Sequence, residues 1–312
     1  MHTGGYGRTS AKNGEVFRNV FNYPANYWDG ASGAINHLLD INGGNIQGKK
    51  VALVYHNSAY GKEPIRTLEV LSEKHGYELS LLPVDHPGQE QKSQWLQIRR
   101  DRPDYVLMWG WGVMNQVAIQ EAANIRFPME NFIGVWWSGS ENDVLPAGDK
   151  ANGYKAITFH NVGSNFPVFD DIQKYVVATG KAAGAGDNIG TALYNRGMYN
   201  AMLLSEAAKT AQAITGKSAI SQADMIKGME ALEMTEEKMA ALGLPNFGPS
   251  FSVSCQNHGG DGLVAVAQWD AGAGSWSIVS DYQNSDMGVL QPLIDADSSA
   301  FASENNITPN CN

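Results

Sequence analysis

The chain has 312 residues, 43% of them hydrophobic and 17% charged, which is ordinary for a globular protein long enough to build one large or two medium cores. Its formal net charge of −10 argues against nucleic acid and anionic membrane surfaces as partners, since both require a basic face. No apolar run approaches the roughly 18–20 residues of a bilayer span, and the opening MHTGGYGRTSAKNG lacks the apolar core of a secretory signal.

Residues 1–24 read as irregular, with Gly4, Gly5, Gly7 and Gly14 ahead of an extended VFRNVFNY. A helix is predicted over Ala25–Leu39, stopped by Asn42-Gly43-Gly44, and an apolar strand over Val51–Tyr55. Helix Lys62–His75 places Ile65, Leu68 and Leu71 on one face at helical spacing. Strand Glu78–Val84, a polar helix over Gln91–Arg100 carrying Trp95 and Ile98, strand Tyr105–Trp109 and a helix through Ala123 follow. Phe132–Val135 and Tyr154–Phe159 are two more strands. This alternation predicts parallel strands covered by helices, a sheet that binds ligands at the C-terminal ends of its strands. Ser58 and Tyr60 stand at such an end after the first strand, and Trp109 and Trp111 after the third.

The Gly-, Asn- and Pro-rich passage from His160 to Pro167 breaks the pattern and reads as a crossing between domains. Helices are predicted over Val168–Thr179, Gly190–Thr215 and Ser221–Leu232, the last opened by Ser221 with Asp224 three residues on, close to a capping box. Strands Phe251–Cys255, Leu263–Trp269 and Trp276–Asp281 come next, the latter two joined by a turn over Asp270–Ser275, and Val289–Ala302 is a helix. This half has helices but too few strands to receive them, and Met1–Thr9 looks like the end of a strand and a loop. A preceding βαβ-rich segment is therefore expected to complete the first domain.

Of the two cysteines, Cys311 is the penultimate residue of a polar tail, a poor place for a buried thiol. A Cys255–Cys311 disulfide is the better reading than two buried thiols, and it implies an oxidising compartment. In the chain-entropy model it stabilises by roughly 3–4 kcal/mol.

Taken with this order of elements, the segments AYGKE (59–63), DYVLMWGWG (104–112) and YNRGMYNAMLLSEA (194–207) resemble the periplasmic substrate-binding proteins of ABC transporters, in the branched-chain amino-acid (Leu/Ile/Val-binding) group. The likeness runs over nearly the whole chain, which would correspond to the C-terminal three quarters or so of such a protein. It implies an α/β protein of two doubly wound, Rossmann-like lobes joined by a hinge, the type I periplasmic binding protein fold, with the first lobe incomplete. Lobe one would be residues 1–24 plus 161–262 and lobe two 25–160 plus 263–312, joined by three crossings, with the ligand held between them.

Gly5, Tyr6 and Gly7 fall on the family loop whose backbone N–H groups hold an amino-acid carboxylate; a flexible chain start is the plainer alternative. Tyr60 and Trp111 match family aromatics that face the ligand. A helix-entry packing role is the alternative for Tyr60, while Trp109, at the end of the apolar run, reads as core. Trp136 and Trp137 stand where the family's amino-acid binders tend to carry an acidic residue for the ligand's ammonium group. Glu141 either replaces that carboxylate or caps the helix starting near Ser140. Without a carboxylate a buried ammonium would go unpaired, so the tryptophans suit an aromatic or other apolar carboxylic acid, with a cation–π contact to an ammonium as the alternative. Tyr194 is a further ligand contact. Arg196 either pairs with an anionic ligand group or is a solvated surface arginine.

The seven histidines form no metal-ligand spacing, and neither a GxSxG elbow nor a P-loop is present. The expectation is a solute-binding protein, a monomer without cofactor or metal. It would be periplasmic, take a small amino acid or an aromatic or organic acid, and deliver it to an ABC-transporter permease. The same fold could instead serve as a ligand sensor controlling a regulator or receptor. An enzyme using a nucleotide on a doubly wound framework is the remaining alternative; it would need a cofactor loop and an acid–base residue.

Overall fold

A computed structural model describes residues 1–3 and 9–311. In chain order its elements begin with α1 (Tyr27–Ile41), β1 (Lys50–His56), α2 (Ala59–Lys62), α3 (Ile65–His75), β2 (Glu78–Val84), α4 (Lys92–Asp101) and β3 (Tyr105–Trp109). They continue with α5 (Val113–Asn124), β4 (Phe132–Gly134), α6 (Glu141–Val144), β5 (Lys155–Thr158), α7 (Pro167–Ile172), α8 (Ala192–Thr215) and α9 (Gln222–Glu230). The last are β6 (Glu233–Met234), α10 (Glu236–Ala241), β7 (Phe251–Ser252), β8 (Ala265–Asp270), β9 (Ser275–Ile278) and α11 (Met287–Glu304).

The described residues group into two compact units: those of 1–26, 159–262 and 292–311 in the first, 27–158 and 263–291 in the second. The second unit is built on one sheet in the order β2-β1-β3-β4-β5-β8-β9. The run from β2 to β5 is parallel, and β8 and β9 extend it antiparallel. β1 and β3 are buried along almost their whole length, as expected of inner parallel strands covered on both faces. β2 lies at the edge and alternates buried and exposed residues near its end, where Pro83 is accommodated without breaking an inner ladder. Strand order reverses between β1 and β3, so the chain leaves those two strands toward opposite sides of the sheet. The crevice outside their C-terminal ends is the place where this topology binds ligands.

Helix α1 covers the sheet closely because Gly30 leaves room for Trp136; a Cβ there would come within 2.8 Å of the indole. The single helix predicted over Lys62–His75 is two helices. Pro64 cannot donate to the preceding turn, so α2 ends before it and α3 starts after it. Similarly, the helix predicted over Val168–Thr179 is α-helical only to Ile172 and widens to a π turn over Gln173–Val177.

In the first unit, α8 and α9 pack at short range where Gly228 abuts Ala207 and Ala211. The capping box at Ser221 and Asp224 is formed, and Lys217 bonds both oxygens of Asp224 at 3.0 and 2.9 Å. Those bonds, led by the Ser221 backbone N–H, hold the Asp224 carboxyl well below the usual range. The strand predicted over Phe251–Cys255 shortens to β7, which pairs with β6 before Ser254 turns back to bridge Asn257.

The C-terminal residues, expected in lobe two, belong from 292 onward to the first unit. Phe301 packs against Phe17 with the rings tilted and their centroids 4.7 Å apart, Arg18 donates to Asn310 at 2.6 Å, and the sulfurs of Cys255 and Cys311 stand 2.09 Å apart with their Cα atoms at 5.6 Å. The chain thus passes between the units four times, α11 itself making the last passage.

Candidate functional site

The second unit collects aromatic side chains at the C-terminal ends of β1, β3 and β4. Tyr60 lies in α2, directly after β1, in a turn capped by Ser58, and its hydroxyl donates to the Gly110 carbonyl at 2.9 Å. Trp111 follows β3 and is 52% exposed, unusual for an indole. Its ring meets Tyr60 edge-on at 6.4 Å and Trp137 at 5.5 Å. Trp137 is half-buried and donates its indole N–H to the Tyr27 hydroxyl at 3.1 Å. Tyr60, Trp111 and Trp137 therefore share one face, beside the β1/β3 reversal.

Trp136 does not share it. It is fully buried and stacks on Tyr27 at 5.7 Å, beneath α1. The two residues lie in a 3-10 turn, Trp136–Ser138, whose successive side chains point about 120° apart, so Trp136 turns inward while Trp137 faces the aromatic side. Trp109 is buried, as its place at the end of the apolar run suggested.

A polar network lies under the aromatic face. Asn115, in the first turn of α5, donates to the Trp137 carbonyl at 2.8 Å and to Asp143 at 3.0 Å. The Ser138 hydroxyl lies 3.2 Å from both the Gly110 carbonyl and Asn115 Oδ1. The Tyr154 hydroxyl donates to the Ser138 carbonyl at 2.8 Å. Burial, with the Asp143 carboxylate adding to it, pushes the Tyr154 phenol well above its ordinary range and keeps it a donor. These bonds fix the backbone at Gly110 and at Trp137–Ser138, the segments that aim Trp111 and Trp137. Buried networks of this kind rigidify what they touch when their members are satisfied.

Asp143 also settles the cap of α6. It accepts from the Ser140 backbone N–H at 2.9 Å and from the Ser140 hydroxyl at 2.7 Å. The carboxylate of the capping box is thus Asp143, not Glu141. Neither Asn115, Ser138 nor Tyr27 was singled out by sequence reasoning. The weak signal available was polar residues, Asn115 and Ser138, set among apolar neighbours just beyond the strand ends.

In the first unit, Tyr194 is half-buried in the first turn of α8 and meets Phe169 edge-on at 6.1 Å. Arg196 is not a solvated surface arginine: it is 3% exposed, with its guanidinium 5.5 Å from the centroid of the Phe159 ring. Next to it, buried His160 stacks on Phe247 at 5.6 Å. Burial first, then the Arg196 charge, lower the His160 pKa to about 3, against the pull of its bond to the Asn161 carbonyl. The imidazole is neutral and the guanidinium carries the positive charge. Gly5, Tyr6 and Gly7 lie outside the described residues.

A family model described as periplasmic binding protein matches residues 4–274. A solved structure named as an ABC transporter permease from the Pseudomonas fluorescens group is 38% identical and superposes with a TM-score of 0.93, covering 100% of this chain and 75% of that one. A branched-chain amino-acid ABC transporter protein from Thermus thermophilus, solved with valine, is 17% identical with a TM-score of 0.68, over 86% of this chain and 68% of that one. An ABC-transporter solute-binding protein from R. palustris, solved with benzoate, is 15% identical with a TM-score of 0.63, over 88% and 69%. The latter two likenesses show the fold alone. No curated protein sequence matches the chain.

Proposed function

We propose, from the premise that this chain belongs to the periplasmic binding protein family, that it captures a small aromatic or otherwise apolar carboxylic acid for uptake by an ABC transporter. The observation that carries this reading is the exposed indole of Trp111, held edge-on between Tyr60 and Trp137 at the strand reversal of the second unit. A large apolar ring kept at the surface by a buried polar network is costly unless something covers it. An amino acid would need a carboxylate near its ammonium group. Directly after β4 the chain offers Trp136 and Trp137 instead, and Asp143 is engaged by Ser140 and Asn115, so an amino-acid ligand would depend on Glu141, which does not form the cap of α6. The benzoate complex of the R. palustris protein shows that the fold accepts an aromatic acid, and the valine complex that it also accepts an amino acid.

In this reading Tyr60, Trp111 and Trp137 contact the apolar body of the ligand and Trp136 supports them from beneath. Tyr194 is a further contact, and the backbone N–H groups of Gly5, Tyr6 and Gly7 receive the carboxylate. The protein catalyses nothing. It works in the periplasm as a monomer, where the Cys255–Cys311 pair is oxidised, and passes its cargo to a permease. Titration calorimetry tests this with benzoate, phenylacetate, valine and leucine. Trp111→Ala and Tyr60→Ala should each weaken binding of the preferred acid by over about 1 kcal/mol, as truncation of a buried anchor does. Unchanged affinity in both variants removes the aromatic face from the site, and preference for valine or leucine overturns the ligand class.

A further inference from the structure

The opposite edge of the same sheet carries a second feature. The loops leading into β3 and β4, at their N-terminal ends, border an open cavity of about 290 Å³. Its apolar floor includes Ile98, Ile125 and Phe127, and Arg99, Arg102 and Arg126 stand around it. All three arginines are exposed, and none of their guanidinium groups has a hydrogen-bond or ion-pair partner among the described residues. Neighbouring charges are engaged in other ways. Asp101 pairs with Arg100 at 2.7 Å, and Asp104 pairs with Lys49 at 3.3 Å. The cluster is thus an uncompensated basic patch on a protein of net charge −10.

Two of these arginines occupy backbone conformations that L residues avoid. Arg102 ends α4 with φ 49°, and Arg126 follows α5 with φ 61°. Elsewhere the chain puts glycine at such a helix end, Gly76 after α3 and Gly216 after α8, and its other described non-glycine residues with positive φ are Asn246 and Asn306. Glycine and asparagine are the residues that tolerate this region. A cation near a helix C-terminus complements the dipole, which accounts for Arg99 and Arg100 in the last turn of α4. It does not account for arginine at both left-handed positions beside one cavity, where glycine would be free of strain. Strain retained at a surface points to a use for the side chain.

We propose that this edge is a docking site for an acidic segment of a partner protein. The segment's carboxylates meet Arg99, Arg102 and Arg126, and one of its apolar side chains sits on Ile98, Ile125 and Phe127. Exposed cations hold a single small anion weakly, whereas a segment with several carboxylates engages all three at once. A flat anionic membrane is disfavoured because it would also meet the protein's overall negative charge.

The test is fluorescence polarisation with the intact protein and a labelled peptide, Asp-Glu-Phe-Asp-Glu-Pro-Asp, beside an Asn/Gln version of the same peptide and phosphatidylglycerol vesicles. The acidic peptide should bind, more weakly as salt is raised to about 0.15 M, and the neutral one should not. The double variant Arg102→Gly/Arg126→Gly should lose about tenfold or more in affinity while its melting temperature holds or rises, since glycine relaxes both turns. Equal binding by the double variant, binding of both peptides alike, or arginine-dependent binding of the vesicles without the peptide overturns the proposal. So does a lower melting temperature of the double variant, which would assign the arginines to the fold; Arg99→Gln, at an ordinary helical position, should weaken the peptide without touching either turn.

Discussion

At the scale of single residues, the aromatic face depends on side chains that never reach the surface. Asn115 holds the Trp137 carbonyl and Asp143 together, and Ser138 joins the same network under Gly110. Replacing Asn115 with alanine strips partners from buried acceptors, a loss of about 1–3 kcal/mol. The expected outcome for Asn115→Ala is a lower urea midpoint together with weaker ligand binding, because the backbone that aims Trp111 and Trp137 loosens. Full affinity in a destabilised variant would show that the network serves the fold and not the aromatic face. Tyr60 and Trp111 could be placed beforehand at strand ends because each follows an apolar run closely, Tyr60 in the short helix α2 after β1 and Trp111 directly after β3. Burial of Trp136 and Arg196 could not, since neighbouring sequence does not say which side of a strand end, or of a long helix such as α8, faces inward.

At the scale of elements, regular stretches were legible and their interruptions less so. β2 and β3 have the limits that apolar patterning predicted, because inner and edge strands impose period and length directly on sequence. The break at Pro64 and the widening after Ile172 are local backbone events that a helical spacing of apolar residues passes over. The tail is the clearest element-level correction. α11 continues into the first unit, and the tail beyond it brings Cys311 beside Cys255. A bridge across 56 residues should stabilise by about 4 kcal/mol in the chain-entropy model. Mass spectrometry without reductant should find the two cysteines linked, and reduction should lower the melting temperature; two free thiols in protein exported to an oxidising compartment would defeat the pairing.

At the scale of the whole molecule, buried histidines make stability depend on pH. Burial lowers His160 to about 3 and His2 and His37 to about 4, against 6.5 in an unfolded chain. Below about pH 6.5 the unfolded state takes up protons that the folded state refuses, so stability is complete above that pH and falls as pH drops toward 4. Most carboxylates remain ionised in the upper part of this window, which isolates the histidine contribution there. Scanning calorimetry should show the melting temperature declining from pH 6.5 to 5, with a shallower decline in His160→Gln. A flat profile would mean that these imidazoles reach solvent.

By itself the sequence determined the α/β class, the order of helices and strands in the second unit and the placing of Tyr60 and Trp111 at strand ends. Each of these follows from local periodicity and from chain direction, which neighbouring residues encode. Only the tertiary structure decided that Trp137 faces out while Trp136 is buried, that Asp143 rather than Glu141 caps α6, that Arg196 is enclosed, and that the tail returns to the first unit. Those outcomes depend on contacts between residues distant in sequence, where close packing and the pairing of buried polar groups select one arrangement among several that local pattern allows.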